Sequence, residues 1–453
     1  MFEARERHAR SPAHETALAC LEAGIEAAAP ARAVERAVSL DGDALRVVDA
    51  TYDLGAFDRV LVLGAGKATA ALVRALEARL GDRLDGGRVV VDAPPDPPLA
   101  RVEAAVGEHP VPGAGSVAGA ERVLELAETC DERTLVLAAF TGGGSALLAA
   151  PVAGLALSDL RAVTGALLSA GAGVAEVNAV RKHCSAVKGG RLAGACAPAT
   201  VVTLLVSDVV GDDPAVIASG PTVSDPTTFA DALAVLDRYG VEAPAVRAHL
   251  ERGRDGEVAE TPTPGAPAFD RTATHLLASG RTALEAARET AAERGYATCL
   301  LSASVEGEAR EAGRFHAAIA RETAERGDPV APPAVLLSAG ECTVTVRGDG
   351  TGGPNAEFAL GAALDLAELP DGVVVGSADT DGRDGSTAAA GALVDARTVE
   401  DLPEARAALA ANDSYGYLDG RGALLRTGRT GTNVNDLRVV VVHPPADDAG
   451  SGV

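Results

Sequence analysis

The sequence predicts a two-domain α/β protein, and three observations predict it. Short Val- and Leu-rich runs alternate with Ala-rich amphipathic stretches along most of the 453 residues, the pattern of a parallel sheet covered by helices. With 47% of residues hydrophobic and 23% charged, the chain has material for large cores and length for two domains. Residues 252–273 (RGRDGEVAETPTPGAPAFDRTA) carry Pro, Thr, Gly and charge without a hydrophobic period, which marks an interdomain connection. The expected domains are 1–260, a larger doubly wound and mostly parallel sheet, and 274–445, a smaller α/β domain.

The elements follow in order. Residues 14–38 read as one long helix. The strand 59–63 enters Gly64-Ala65-Gly66-Lys67 and a helix, and strands follow at 88–92 and 134–139, the latter running into Thr141-Gly142-Gly143-Gly144-Ser145. A helix over 158–170 precedes the basic stretch 176–195, and the apolar strand 200–206 ends at Ser207-Asp208 before a helix near 227–239. Beyond the connection come strand 275–278, helix 281–294, strand 298–302, helix 308–326 and strand 334–338. Residues 341–347 alternate polar and apolar, an exposed strand; a helix over 356–368, strand 372–376, an acidic Gly-rich loop over 377–391 and a last strand at 437–442 complete the pattern.

Composition excludes several classes of function. Sixty-four acidic against 40 basic residues give a net charge of -24, which repels nucleic-acid phosphates and acidic membrane surfaces. Only Lys67, Lys182 and Lys188 are lysines; that depletion, with high acidity and no Trp, resembles a salt-adapted proteome, and a GC-rich genome would also deplete lysine. Lysines that survive such a bias belong where a compact ammonium cannot be replaced by a guanidinium. The six cysteines form no CxxC or zinc-ligand spacing and read as packed free thiols. The charged residues 1–13 lead into no apolar leader and no run reaches membrane-spanning length, so a soluble, cytoplasmic protein is expected.

In an open parallel sheet, ligands bind beyond the carboxyl ends of strands. Gly64, Gly66 and Lys67 occupy such a strand-to-helix turn, where free N–H groups and the helix dipole favour an anion; a structural turn with a solvated lysine is the alternative. The turn is neither a Walker A loop, since position 61 is Leu61, nor a full GxGxxG, since position 69 is Thr69. Gly142, Gly143, Gly144 and Ser145 repeat the arrangement and could wrap a phosphate or carboxylate, with a tight structural turn as the alternative. Arg181, Lys182, His183, Lys188 and Arg191 concentrate positive charge in an acidic chain; on a continuous helix Lys188 would share a face with Arg191 or Arg181. Asp208 at a strand end suits Mg²⁺ or a substrate proton, with a helix cap or turn as the alternative. Asp379, Asp381 and Asp384 lie in a second acidic loop that does not match a calcium loop, and Asn433 and Asn435 offer side-chain amides. Anion-holding glycines and lysines together with carboxylates suit phosphoryl transfer.

The ordered motifs VLGAGKA, HPVPG, TGGGSALL, NAVRKHCSAVKGGRLA, VSDVVGDDPAVIASGPTVSDPTTF, SAGECTVTV, GGPNAEFAL, DTDGRDG and GTNVNDL closely resemble the glycerate 2-kinase family, whose C-terminal half is called the MOFRL domain. The resemblance runs from about residue 14 to residue 441. It implies ATP- and Mg²⁺-dependent phosphorylation of D-glycerate to 2-phosphoglycerate, with a cleft between a larger N-terminal and a smaller C-terminal α/β domain. Carried over motif by motif, it implies Lys67, Asp208 and Asp381 as catalytic groups and Asp208, Asp379 and Asp381 as metal ligands. The loop reading makes Gly64, Gly66, Gly142, Gly143, Gly144, Ser145, Lys188 and Arg191 substrate- or nucleotide-binding positions, and the resemblance adds Asn355, Asn433 and Asn435. The chain departs from the family where Pro354, Asn355 and Ala356 replace the usual Arg then Asn-Gln, leaving Arg347 or Arg383 to substitute, and Ala388 replaces the usual Asp after the TDG loop. Two rival readings are an NAD(P)H-dependent hydroxypyruvate reductase, a label some members of this family carry, with Asp82 or Asp85 at ribose-binding spacing, and a small-anion-binding sensor. A homo-oligomer is compatible with either.

Overall fold

The computed structural model describes residues 1–443 apart from Pro370. Residues 444–445, the end of the expected second domain, lie outside the described residues. The chain divides into two compact units, Pro30–Leu277 and Met1–Ala29 together with the chain from Ala278 onward.

The first unit opens with a three-stranded antiparallel meander, β1 (Val38–Asp41), β2 (Ala44–Val47) and β3 (Ala50–Asp53). The long helix expected over 14–38 is two helices, Pro12–Ala28 and Pro30–Ala37, because Pro30 has no N–H to donate and holds Ala29 at ψ 135°. The main sheet comprises β4 (Arg59–Ala65), β5 (Gly86–Val91), β6 (Val102–Val106), β7 (Thr134–Phe140), β8 (Thr200–Val206) and β9 (Thr272–Ala278), in the order β6-β5-β4-β7-β8-β9. From β6 to β8 all neighbours run parallel. Counted from β4, this is the doubly wound order 3-2-1-4-5-6, which reverses direction between β4 and β7 and opens a crevice at their carboxyl ends. The β7 run TLVLAAF is buried at every position, as a central parallel strand covered on both faces must be.

The second unit contains β10 (Ala297–Glu308), β11 (Ala334–Thr343), β12 (Val373–Asp379), β13 (Gly391–Asp395), β14 (Leu424–Leu425) and β15 (Asp436–Val442), in the order β10-β11-β15-β12-β13-β14. Only β10 and β11 are parallel; the rest pair antiparallel. Central β15 brings Asp436 opposite Gly340 of β11 and Asp379 of β12. The exposed strand expected over 341–347 is present only as the end of β11, where Glu341 and Thr343 are exposed and Cys342 is buried; residues 344–347 form no strand.

Two boundaries differ from the expected division at 260 and 274. The helix Pro12–Ala28 buries Leu18, Leu21 and Ile25 against β15 and the helix Gly280–Glu293, and Thr432 Oγ1 donates to the Ala28 carbonyl at 2.7 Å, so the N-terminus joins the second unit. At the other boundary β9, expected to open the second domain, completes the first sheet beside β8. Its apolar end, Leu277 and Ala278, is thereby buried.

Candidate active site

Because β4 and β7 are in register, with Ala65 beside Phe140, the loops that follow them emerge side by side. They lock together: Lys67 N–H donates to the Gly142 carbonyl at 2.8 Å, and Ala68 N–H to Thr141 Oγ1 at 3.0 Å. Gly66 must be glycine, since φ is +148° and a Cβ would sit 2.1 Å from Thr141 Oγ1. Beyond β8, Asp208 lies on the same loops: a Cβ on Gly142 would fall 1.9 Å from its Oδ2. At Gly143, φ +80°, a Cβ would meet His109 Cδ2 at 3.0 Å and Lys67 Cγ at 3.1 Å. Asp208 therefore lies against Gly142, and His109 and Lys67 against Gly143, each in the space a side chain there would take. Lost hydration and then the Lys67 charge hold the His109 imidazole below its ordinary range, against the opposing charge of Asp92.

Ser145 is held from two directions. Its hydroxyl is in short contact with Ser219 Oγ and accepts from Arg181 Nη1 at 2.9 Å. Ser219 and the preceding Ala218 are both left-handed, φ +63° and +51°, a strained backbone that places the Ser219 hydroxyl to donate to Asn178 Oδ1 at 3.0 Å. Lys188, buried to 2%, donates to the carbonyls of Ser145 and Leu148 at 2.7 and 2.8 Å, bracing the short helix Gly144–Leu147 from beneath. Burial and the neighbouring Arg181 push its ammonium well below the ordinary lysine range. The continuous helix through this basic stretch is absent: the helix Val174–His183 ends, Gly189 and Gly190 turn left-handed, and a new helix begins at Arg191. Arg191 consequently faces the charges of Glu260 and Asp225 instead of sharing a face with Lys188. Lys182 pairs with Asp225 at 3.3 Å and His183 with Glu260 at 2.7 Å, both as internal ties.

The second unit gathers a different set. Asp379 ends β12, and its Oδ1 accepts from Asp381 N–H at 2.9 Å. Asn355, in the first turn of the helix Pro354–Leu366, donates through Nδ2 to Asp436 at 2.6 Å and accepts from Ser377 Oγ at 2.5 Å. Asp384 receives the N–H groups of Asn355 and Ala356, each at 2.8 Å, and so caps that helix. Asn433 Oδ1 accepts from Asn435 N–H at 3.1 Å, and the Asn435 carbonyl accepts from Thr380 Oγ1 at 2.7 Å, which ties this loop to the acidic one. Burial raises Asp379 well above the ordinary carboxylate range, reinforced by the charges of Asp436, Asp381 and Asp384. Burial likewise lifts Asp384 to about 7, opposed by its two backbone donors. Arg438, fully buried, pairs with Asp436 at 2.6 Å. Arg347 and Arg383 are exposed, and their backbone N–H groups donate to Asn412 and Asp381.

Comparison with known proteins adds the family. Residues 16–251 match a domain family of unknown function, DUF4147, and residues 334–436 match the MOFRL family. The chain is 40% identical over 426 residues to a protein named glycerate 2-kinase from Pyrococcus horikoshii, covering 92% of this chain and 94% of that one. The chain belongs to the MOFRL-containing glycerate 2-kinase family. A relative from Agrobacterium vitis named as a hydroxypyruvate reductase is 44% identical over 391 residues, 85% of this chain and 87% of that one. The crystal structure of a glycerate kinase from Thermotoga maritima matches with a TM-score of 0.82 at 38% identity, covering 94% of this chain and 99% of that one.

Within this family frame, two groups of the expected residues are brought together. Gly66, Lys67, Gly142, Gly143 and Asp208 meet in the first unit, where Gly64 lies within β4 and Gly144 and Ser145 start the adjoining helix; in the second, Asp379 at the end of β12 and Asp381 join the loop of Asn433 and Asn435 through Thr380, and Asn355 reaches Asp436 from its helix. Sequence reasoning placed Arg181 in the basic cluster that suits an anion but assigned no role to His109, Asn178, Ser219 or Asp436. The HPVPG motif was the one signal for His109; the Ser145–Asn178–Arg181–Ser219 network joins three stretches distant in sequence, with Asn178 and Arg181 on one helix, and has no local signature.

Proposed function

We propose that the chain is an ATP-dependent glycerate 2-kinase that transfers the γ-phosphoryl group to the 2-hydroxyl of D-glycerate, giving 2-phosphoglycerate. The observation that carries the reading is the convergence of Lys67 and Asp208 on Gly142 and Gly143 at the switch point of a doubly wound sheet. The glycine N–H groups and the Lys67 ammonium suit phosphate oxygens. Asp208 takes the hydroxyl proton as the 2-oxygen bonds to the γ-phosphorus; the bond from that phosphorus to the β,γ-bridging oxygen breaks, and ADP leaves with the electron pair.

Among the described residues no three His, Cys, Asp or Glu side chains form a ready metal cage. A magnesium ion beside a nucleotide usually takes one or two carboxylates and fills its remaining positions with phosphate oxygens and water. Asp379 and Asp381 of the second unit fit that demand, as Asp208 of the first does on its own loop, and a cation would relieve the repulsion from Asp436, Asp381 and Asp384 that adds to burial in raising Asp379. A bound Mg²⁺ would neutralise charge on the transferred phosphoryl group. Gly64, Gly66, Gly144, Ser145, Lys188, Arg191, Asn355, Asn433 and Asn435 belong to the same proposal as substrate- or nucleotide-supporting positions, Lys188 through the loop it braces. So do a salt-adapted, cytoplasmic setting, which six free cysteines suit, and an acceptor that is a small molecule. No helix among the described residues is long and apolar enough to cross a membrane.

The reductase reading draws on the name of the Agrobacterium vitis relative. Against it, Thr69 stands where the third glycine of a dinucleotide loop belongs, buried with its hydroxyl 3.3 Å from Thr141 Oγ1. Of the two acidic residues at ribose-binding spacing, Asp82 pairs with Arg101 and Asp85 accepts from Val60 N–H at 2.7 Å. The test is a product assay with ATP, Mg²⁺ and D-glycerate in high KCl, resolving 2- from 3-phosphoglycerate, beside hydroxypyruvate with NAD(P)H. Formation of 2-phosphoglycerate is expected; cofactor oxidation without a phosphorylated product would overturn the proposal.

A further inference from the structure

In the first unit, a cavity of about 420 Å³ lies between the helix Leu157–Ser169, residues 110–112 and the segment from Gly143 to Ala149. Its wall is apolar, formed by Leu160, Val163, Leu168 and Val111. Val111 and Leu168 are 56% and 59% exposed, among the few large apolar side chains left in water over the described residues. Such exposure is unfavourable unless something covers it.

The opposite end is cationic and lacks a counter-charge. Arg181 and Lys188 both line it, and among the described residues neither has a carboxylate partner. The Arg181 guanidinium has only the Ser145 hydroxyl at 2.9 Å and the Asn178 side-chain oxygen at 3.5 Å. Desolvation alone holds it below its ordinary range. Beside it, Asn178 Nδ2 is buried with no acceptor. A buried positive charge and an orphan donor call for an anion. A flat apolar wall calls for a different group on the same molecule. A three-carbon hydroxy acid supplies the anion and leaves the wall wet, whereas a nucleotide supplies both.

We infer that this cavity takes the base and ribose of a nucleoside triphosphate donor, with the nearest phosphate on Arg181 and the Ser145 hydroxyl. The phosphate chain then continues over Gly143 toward Lys67, which also makes the donor a nucleotide instead of inorganic pyrophosphate. This inference rests on the kinase reading.

Gly165 provides the probe. It lines the cavity from the middle of the helix Leu157–Ser169, and a Cβ there meets nothing within 4 Å. Gly165→Phe should therefore fill the cavity without displacing protein, and glycine replacement within a helix favours folding; Gly165→Ala serves as a control, with thermal melting of each. ADP and adenosine are titrated calorimetrically into wild type, Gly165→Phe and Arg181→Met, and the KM for D-glycerate is measured at saturating ATP. Gly165→Phe should weaken both ligands about tenfold or more. Arg181→Met should weaken ADP by about 10- to 100-fold and adenosine by less than about threefold, because only ADP brings the anion. Unchanged ADP affinity in both variants with a raised KM for D-glycerate would assign the cavity to the acceptor and overturn the inference. So would loss of ADP binding in Asp92→Asn alone, which would put the nucleoside at the end of β5. The two readings fail separately: absence of phosphoglycerate from wild type defeats the kinase reading, whereas its formation with unaltered ADP affinity in the variants defeats only the cavity assignment.

Discussion

Gly142→Ala isolates the contact on which the reaction is built. The added methyl would lie 1.9 Å from Asp208 Oδ2, and ordinary contact begins near 3.4 Å, so the carboxylate must retreat by about 1.5 Å. Gly142 does not occupy the left-handed region, so alanine adds no backbone strain. The obstructing atoms are the far end of one side chain, which can rotate away, so the fold should survive with a melting temperature within about 4 °C of wild type. A displacement above 1 Å at a reacting group lowers turnover by about 100-fold. The assay is 2-phosphoglycerate formation at saturating ATP and D-glycerate, with Asp208→Ala and the double variant in parallel. If the methyl acts through Asp208, the double variant should be no slower than Asp208→Ala, a fully non-additive cycle. Gly142→Ala turnover within threefold of wild type, or strictly additive losses, would refute the assignment of Asp208 to the reaction.

Three further outcomes are expected. Lys67→Ala should lower turnover by about 100- to 1000-fold if its ammonium stabilises charge on the transferred group, and near-normal turnover would reduce it to a structural residue. Salt screens repulsion among exposed carboxylates, so a chain of net charge -24 should melt higher in molar KCl than in dilute buffer; equal melting temperatures would contradict this. His316, buried between the Ala312 carbonyl and Ser338 Oγ at 2.7 Å each, is held neutral with its pKa lowered by burial to about 4 from 6.5. Above pH 6.5 neither state is protonated. As pH falls from 6.5 toward 4 the unfolded chain binds the proton first, so stability is lost over that window, by about 2 kcal/mol between pH 7 and pH 5. Denaturant titrations should show that loss in wild type and its absence in His316→Gln; the same slope in both would exclude His316 as its origin.

The main sheet was legible because each of its central strands is a run of buried apolar residues ending in a glycine or acidic loop, and both features are local. The meander β1 to β3 was not: its strands are four residues each, and in β2 only Leu45 and Val47 are buried, too little to separate it from the end of a helix. Pro30 and the paired glycines 189 and 190 are local signals, and each breaks a helix that hydrophobic period alone would carry through. The N-terminal helix joined the second unit through contacts more than 250 residues away, which no window along the chain can hold.

Lysine depletion is the instructive case. The expectation was that surviving lysines mark positions where an ammonium cannot be exchanged, and two of the three occupy buried sites where a compact donor reaches specific oxygens: Lys182 on Asp225, and Lys188 on two carbonyls. Both serve the architecture around the loops. Composition therefore selects for geometric constraint, and constraint is shared by struts and by reacting groups. What separates Lys67 from the other two is its position after β4 at the switch point, beside Gly143 and in the electrostatic reach of His109. Its assignment to the chemistry rests on topology, and the rarity of lysine adds only that arginine would be a poor substitute there.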